Sequence, residues 1–287
     1  MINEIIKKEI SRFYRDHFPA KIFLPGKTRI PHAEKVFDEN ELINLVDASL
    51  DGWWTEGRFA KEFEREFSKY LGVRYVSLVN SGSSANLVAL ASLTAHNLGE
   101  KALKPGDEVI TVAAAFPTTV NPIIQLGCVP VFIDIDARTL NATPELVKKA
   151  LSNKTRAIML AHTLGNPFPL EEILKLVEKY HLWLVEDCCD ALGSVYKGKQ
   201  VGTFGHTATF SFYPAHQMSC SHNTPIPYLD ESGRWRLEKI EKIYNKYVNQ
   251  AGNIKILAFD KKYKVGWVPP LFDNKTQIRS FEKNVEN

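Results

Sequence analysis

The sequence predicts an α/β protein whose mostly parallel sheet is covered by helices on both faces. Between residues 75 and 210, short apolar segments alternate with longer segments of helical periodicity. Apolar segments without polar alternation are typical of strands buried on both faces, as parallel strands are. Polar motifs directly follow several of these segments, at the sheet edge where ligands bind in such folds.

The composition indicates a soluble globular protein. The 287 residues are 44% hydrophobic and 24% charged, and a net charge of +3 is too small to indicate a nucleic-acid partner. No apolar run approaches the ~20 residues of a membrane span, and Glu4, Lys7 and Lys8 interrupt any signal-peptide core. The neighbouring Cys188 and Cys189 are poor disulfide partners, and no CxxC spacing occurs. We expect reduced thiols, a cytoplasmic location, and neither nucleic acid nor membrane as a partner.

Residues 1–57 are predicted to form an N-terminal helical arm. Ile2, Ile6 and Ile10 recur at helical spacing, which predicts an amphipathic first helix. Asp38 is a typical N-cap residue and predicts the start of a second helix.

Residues 58–216 are predicted to form the α/β domain. Its first helix carries Phe59, Phe63 and Phe67 four residues apart, a stripe typical of core packing, and ends near Gly72. The elements predicted after it are a strand at 75–79, a helix at 83–98, a strand at 108–113, a helix at 117–126, a strand at 129–133, a helix from 143, a strand at 157–161, a helix at 170–180, and strands at 182–186 and 207–210.

The segment Asn80–Ala85 joins a predicted strand to a predicted helix. Gly82 allows the backbone to approach an anion closely, and the N–H groups of Gly82 and Ser83 open a helix whose dipole favours a phosphate. A tight turn followed by an ordinary serine N-cap explains the same residues equally well. This motif alone does not distinguish a phosphate site from a turn with a serine N-cap.

Two aspartates follow the apolar strand that ends at Glu186. Asp187 can hold a pyridinium nitrogen protonated and so make a cofactor ring an electron sink. For Asp187 alone, an acidic helix N-cap is the simpler interpretation. Asp190 can contact a hydroxyl of such a ring or face solvent.

Three further residues follow predicted strands. Phe116 offers a flat ring that can stack on a cofactor, although a buried core phenylalanine is the simpler interpretation. Ser211 offers a hydroxyl for a phosphate, and His216 follows five residues later. A neutral imidazole can accept and return a proton near pH 7, which is the work of a general base.

Six segments together resemble the fold-type I pyridoxal-phosphate family of sugar aminotransferases and dehydratases. Within that family they are most similar to the CDP-4-keto-6-deoxyglucose 3-dehydrase branch of lipopolysaccharide and ascarylose-type sugar biosynthesis. The segments are Gly52–Gly57, Asn80–Asn86, Ala113–Thr119, His162–Pro169, Glu186–Gly193 and Ser211–His216. The resemblance spans nearly all of residues 1–216.

The resemblance implies the large domain of that fold and a site for pyridoxamine or pyridoxal 5'-phosphate. The cofactor-binding residues that it implies are Gly82, Ser83, Phe116, Asp187, Asp190 and Ser211.

His216 stands where the aminotransferases of the family have the lysine that forms the Schiff base, and a histidine cannot form an imine. The resemblance therefore implies dehydration rather than transamination. The implied reaction removes the C3 hydroxyl of a nucleotide-linked 4-keto-6-deoxy sugar, with His216 as the base. The resemblance also implies a homodimer, a two-iron two-sulfur cluster and a reductase partner.

The chain departs from the family after His216. Gln217–His222 replaces a glycine-rich turn, and Cys220 is the last cysteine, whereas the cluster needs four thiolates. We therefore expect the family's cluster to be lost and turnover with it. Residues 217–287 are expected to be an atypical tail, either a small helix–strand unit or a poorly ordered end, produced by a frameshift, a deletion or a fusion.

Three alternatives stay open beside the dehydratase. The first is a cluster-free GDP-4-keto-6-deoxy sugar 3-dehydratase, which the shortage of cysteines favours. The second is a sugar aminotransferase, which His216 opposes. The third is a non-catalytic remnant that binds a nucleotide sugar or pairs with a homologue.

Overall fold

The structure is a computed structural model that describes residues 2–19, 24 and 37–213, together with the backbone of short strands between 225 and 279. The α-helices of this part are α1 Glu4–His17, α2 Glu39–Leu50, α3 Arg58–Leu71, α4 Gly82–Ser92, α5 Pro117–Gln125, α6 Pro144–Ala150 and α7 Leu170–Tyr180. None of these described helices is long and apolar enough to cross a membrane.

The central sheet is parallel throughout. Its strands are β1 Glu108–Val112, β2 Val129–Ile133, β3 Thr155–Ala161, β4 Trp183–Asp187 and β7 Thr207–Thr209. They lie in the order β2-β1-β3-β4-β7, and every neighbouring pair is parallel. A small antiparallel hairpin of β5 Val195–Tyr196 and β6 Lys199–Gln200 precedes the last strand. The predicted fold class, a mostly parallel sheet with helices, is confirmed.

The side chains of each strand alternate between the two faces of the sheet, and this alternation divides the core in two. Ile158, Leu160 and Leu184 belong to a cluster that includes side chains of α6 and α7. Met159 and Val185 belong to a second cluster, which includes side chains of α4 and α5. Adjacent residues of β4 therefore point to different helical layers.

The predicted start of the second helix and the predicted end of the third are confirmed. The side chain of Asp38 accepts from the N–H of Asn40, and Glu41 accepts from the N–H of Asp38, which completes a capping box for α2. Helix α3 ends at Gly72, whose φ of +69° is a conformation that glycine adopts without a steric penalty. No residue of α1, α2 or α3 is buried.

The strand predicted at 75–79 is wrong. The segment forms no regular element and pairs with no strand of the described sheet, and Tyr75 is 77% exposed. A β-propensity forms a strand only where a neighbouring strand accepts its backbone hydrogen bonds and covers its side chains.

The helix predicted at 83–98 ends early, at Ser92. The hydroxyl of Ser92 donates to the carbonyl of Ala89, and that of Thr94 donates to the carbonyl of Ala91. These bonds satisfy carbonyls that a continuing helix would use. A short 3₁₀ segment follows at His96–Lys101, with Gly99 at a φ of +58°.

The described strands after residue 224 are antiparallel. Strands β8 Pro225–Leu229, β9 Trp235–Lys239, β10 Lys255–Phe259 and β11 Val265–Val268 form one sheet, and β12 Leu271–Phe272 pairs with β13 Ile278–Arg279. The sequence had left a helix–strand unit or a poorly ordered end open for this tail. His216, Cys220 and the proposed boundary at residue 216 lie outside the described residues.

Candidate functional site

Asp187 is the centre of a buried polar network at the carboxyl end of β4. One of its oxygens, Oδ2, accepts from Nδ2 of Asn86 at 2.9 Å and from Oγ1 of Thr119 at 2.7 Å. Its other oxygen, Oδ1, accepts from the backbone N–H of Cys189 at 3.1 Å. The Asp187 residue is only 4% exposed. The thiol of Cys189 also hydrogen-bonds the Asp187 side chain, and these donors together fix the carboxylate in one orientation.

The strand alternation explains which elements supply these donors. Asp187 lies two residues after Val185, so both side chains point to the α4 and α5 face. Asn86 lies on α4 and Thr119 on α5, which places each donor above the end of the strand. Thr209 of β7 pairs with Asp187 in register and donates from its hydroxyl to Oδ1 of Asn86 at 2.6 Å.

The donors to Asp187 are all electrically neutral. Among the described residues, no lysine, arginine or histidine forms an ion pair with this carboxylate. A buried carboxylate is expensive unless a cation or further donors compensate its lost hydration. The site is therefore suited to a ligand that brings a positively charged N–H group.

A second part of the site lies where α4 begins. The hydroxyl of Ser81 caps the N–H of Ser84, while the N–H groups of Gly82 and Ser83 have no acceptor within the helix, as at any helix start. A Cβ at Gly82 would lie 2.7 Å from Cβ and 3.0 Å from Oγ of Ser211. The buried Ser211 thus packs against the helix N-terminus only because residue 82 has no side chain.

Gly82→Ala is expected to weaken the binding of pyridoxal phosphate about tenfold, the effect of losing roughly one hydrogen bond to a charged group. The added methyl group would force Ser211 away from the start of α4. Affinity is measured by absorbance titration.

The matched control is Gly57→Ala, because a Cβ there meets nothing within 4 Å and φ is −122°. If the Gly82 and Gly57 variants bound pyridoxal phosphate equally well, the contact between Gly82 and Ser211 would have no role in phosphate binding.

The other predicted cofactor residues lie on neighbouring loops. Phe116 precedes the first residue of α5 and is 58% exposed, so it is not the buried core residue of the simpler interpretation. Thr119, which contacts Asp187, donates its backbone N–H to the carbonyl of Phe116 at 2.9 Å. Asp190 lies half-buried in the turn that follows β4. Ser83 is exposed at the start of α4.

Glu186 points to the opposite face from Asp187, and its role was not predicted from the sequence. Its Oε1 accepts from the N–H groups of Phe204 at 2.8 Å and Gly205 at 2.6 Å, and its Oε2 accepts from that of Gly202 at 2.9 Å. Nε2 of His162 lies 3.0 Å from Oε2. Glu186 and His162 are both fully buried, so the 162–169 segment is more than a connection between a strand and a helix.

The surroundings of Glu186 favour its ionised form. Burial by itself raises the pKa of the Glu186 carboxyl. The hydrogen bond and charge of His162, together with the N–H groups of Gly205 and Gly202, outweigh burial and hold the pKa below its ordinary value. The carboxylate therefore serves as the fixed acceptor for the loop before β7.

The same cluster is a poor metal site, although His162, Glu186 and Cys188 place ligand atoms within 4.8 Å of one another. Four donors already use the two oxygens of Glu186. Burial and the nearby Glu186 carboxylate raise the pKa of the Cys188 thiol, which stays protonated. We assign this cluster to structure.

The positions of Asn86 and Thr119 in the sequence are the one signal that could have placed them near Asp187. Asn86 lies one helical turn after Gly82, and Thr119 follows Phe116 by three residues. Both therefore share the sheet edge with residues that the motifs had singled out. The sequence gives no indication that Asn86 and Thr119 reach the same carboxylate oxygen.

Comparison with known proteins gives a consistent result. The model of the DegT/DnrJ/EryC1/StrS aminotransferase family matches residues 36–223. Lipopolysaccharide biosynthesis protein RfbH of Salmonella typhimurium is 51% identical over 218 residues, which are 76% of this chain and 50% of that protein. The dTDP-4-dehydro-2,6-dideoxy-D-glucose 3-dehydratase of Saccharopolyspora spinosa is 51% identical over 72% of this chain and 45% of that protein.

Solved structures show the same similarity. The Escherichia coli GDP-4-keto-6-deoxy-D-mannose-3-dehydratase with bound hydrated PLP superposes with a TM-score of 0.62 at 36% identity. That alignment covers 66% of this chain and 48% of the dehydratase. The chain thus spans about half the length of the curated relatives and of the solved dehydratase that it matches.

Proposed function

The chain belongs to the DegT/DnrJ/EryC1/StrS aminotransferase family, and we propose that it serves the pyridoxamine-phosphate-dependent removal of the C3 hydroxyl from a nucleotide-linked 4-keto-6-deoxy sugar. The observation that carries the proposal is the buried Asp187 carboxylate, which neutral donors hold at the sheet edge. His216 supports dehydration over transamination, since it replaces the lysine of the aminotransferases.

The residues present fit such a cofactor in two ways. The space beside Gly82, which a Cβ would fill, brings the hydroxyl of Ser211 to the N-terminus of α4, where a phosphate is favoured. The Asp187 carboxylate lacks a cationic partner among the described residues, and a protonated ring nitrogen supplies one.

When bound, the cofactor supplies an electron sink for cleavage at the carbon next to the ketone. Asp187 keeps the ring nitrogen protonated, and the N–H groups of Gly82 and Ser83 with the hydroxyl of Ser211 hold the phosphate. The exposed ring of Phe116 shields one face from water. His216 accepts and returns a proton through an imidazole nitrogen.

The finer assignments belong to the same proposal. A CDP-linked sugar is the first candidate substrate, because the segments His162–Pro169 and Pro214–His216 resemble the CDP-sugar branch. We further propose that Asp190 contacts the ring hydroxyl, that the protein acts as a homodimer and that a reductase consumes its product. A GDP-linked sugar is the second candidate, because GDP-sugar 3-dehydratases are among the structural neighbours.

Pyridoxal phosphate is expected to bind without a covalent bond to the protein. Because residue 216 is histidine, borohydride reduction followed by intact-mass measurement should show no added cofactor mass. His216→Lys is the positive control and should gain one cofactor mass. A stoichiometric adduct on a lysine of the unsubstituted chain would contradict the proposal and favour an aminotransferase.

Turnover is tested separately with the pyridoxamine form of the cofactor. Incubation with CDP-linked and GDP-linked 4-keto-6-deoxy sugars, followed by mass spectrometry, reports loss of the C3 hydroxyl. Cofactor binding with no loss of hydroxyl from either sugar would agree with the loss of turnover expected from the departures after His216, and would favour a protein that only binds nucleotide sugars.

A further inference from the structure

We propose that Asn86 is the positioning residue for Asp187, and that it directs oxygen Oδ1 of this carboxylate toward the ring nitrogen of the cofactor. The inference rests on the proposed function, because it concerns how the same site meets its cofactor. It assigns a role to Asn86 and Thr119, which contact Asp187, and to Thr209, which contacts Asn86.

The amide of Asn86 can adopt only one orientation. Oδ2 of Asp187 is an acceptor, so the amide must present its NH₂ group to it, as the 2.9 Å contact shows. The amide oxygen then faces Thr209, whose hydroxyl donates to it at 2.6 Å. Asn86 is 1% exposed and Thr209 is 2% exposed, so water does not compete for these bonds.

The two oxygens of Asp187 differ in the hydrogen bonds that they accept. Oδ2 accepts from both Asn86 and Thr119, which uses its two favourable lone-pair directions. Oδ1 accepts from the backbone N–H of Cys189 at 3.1 Å, and the weakly donating thiol of Cys189 also hydrogen-bonds the Asp187 side chain. Oδ1 therefore retains acceptor capacity for an N–H group that approaches from the site.

The network ties the carboxylate to three other elements. Asn86 belongs to α4, Thr119 to α5 and Thr209 to β7, while Asp187 ends β4. Rotation of the carboxylate would break bonds to more than one of these elements. A site residue that is locked in this way meets its ligand without a further loss of side-chain entropy.

The decisive experiment compares Asn86→Leu with Asn141→Leu in the full chain. Asn141 is a matched control because it is equally buried and its amide binds backbone groups, with Nδ2 donating to the carbonyl of Asn166 at 2.8 Å. It makes no described contact with Asp187. Both variants should melt at a lower temperature without ligand.

The Asn86→Leu and Asn141→Leu variants are expected to differ in cofactor binding. Asn86→Leu should bind pyridoxal phosphate about tenfold more weakly and shift the pH dependence of its bound absorbance spectrum, since the carboxylate is free to rotate. Asn141→Leu should keep both properties of the unsubstituted chain. Affinity and spectra are measured by absorbance titration.

A second pair of variants decides the question if Asn86→Leu does not fold. Thr119→Val removes the hydroxyl donor to Oδ2 and should weaken binding, whereas Thr119→Ser retains a hydroxyl and should restore it. Rescue by serine separates positioning from packing, because serine is the smaller side chain.

The possible failures are distinguishable. If the unsubstituted chain binds no pyridoxal phosphate, the proposed function is overturned and this inference with it. If the chain binds, but Asn86→Leu and Asn141→Leu lose affinity equally, or Thr119→Val binds as well as Thr119→Ser, the inference alone is overturned.

Discussion

Asp187→Asn is expected to reduce the affinity for pyridoxal phosphate about 100-fold, or about 2.8 kcal/mol. The substitution keeps the shape of the side chain but removes the charge that is proposed to hold the ring nitrogen protonated. It also turns an NH₂ group toward a donor, because the NH₂ group of Asn86 and the N–H of Cys189 lie on opposite oxygens and both require an acceptor. Absorbance titration measures the affinity, and thermal unfolding shows whether the variant is folded.

The comparison variant for this experiment is Asp190→Asn. Asp190 lies half-buried in the turn after β4 and is proposed to contact only the ring hydroxyl. Its loss of affinity should be several-fold smaller than that of Asp187→Asn. Equal losses in the two variants would contradict the assignment of Asp187 to the ring nitrogen.

Glu186→Leu is expected to destabilise the protein by at least about 3 kcal/mol. The substitution leaves the N–H groups of Gly202, Phe204 and Gly205 without their acceptor, and each buried unpaired donor costs about 1–3 kcal/mol. Leucine has a similar volume, so the effect reports lost acceptors rather than a cavity. The melting temperature should fall by about 6–12 °C.

Glu171→Gln provides the matched control for Glu186→Leu. Glu171 forms ion pairs with Lys175 and Lys197 at the surface, where such pairs contribute about 0–1 kcal/mol. Its melting temperature should stay within about 3 °C of the unsubstituted chain. Similar shifts for Glu186→Leu and Glu171→Gln would show that the buried carboxylate is not the anchor of the loop at 202–205.

Most of the fold could be predicted from local patterns. Helix α7 has the predicted bounds, and the capping signal at Asp38 gives the start of α2, because caps and helical periodicity act within a few residues. The wrong predictions, a strand at 75–79 and a helix that continues to residue 98, have a different origin. A strand depends on a neighbour that is remote in sequence, and hydroxyls of Ser92 and Thr94 compete for carbonyls locally.

The candidate site was predictable only in part. Ser211 and Asp187 were singled out because each directly follows a predicted strand, and the carboxyl ends of parallel strands share one edge. Gly82 was singled out by the serine–glycine turn that opens α4, since the strand predicted before it does not form. Asn86 and Thr119 were missed, since they lie inside helices among residues that pack the core. Their meeting at one oxygen depends on how α4 and α5 lie on the sheet, which is a long-range contact.

Glu186 and Asp187 distinguish what the sequence determines from what only the tertiary structure determines. The sequence by itself determines that two carboxylates end an apolar strand, and that neighbours on a strand point to opposite faces. It does not determine which helices cover each face. The packing of α4 and α5 on one face gives Asp187 two side-chain donors, both on Oδ2, while Oδ1 accepts from the backbone N–H of Cys189. On the other face, the loop at 202–205 and His162 surround Glu186. Three backbone N–H groups of that loop donate to the Glu186 carboxylate, and Nε2 of His162 lies within hydrogen-bond distance of it.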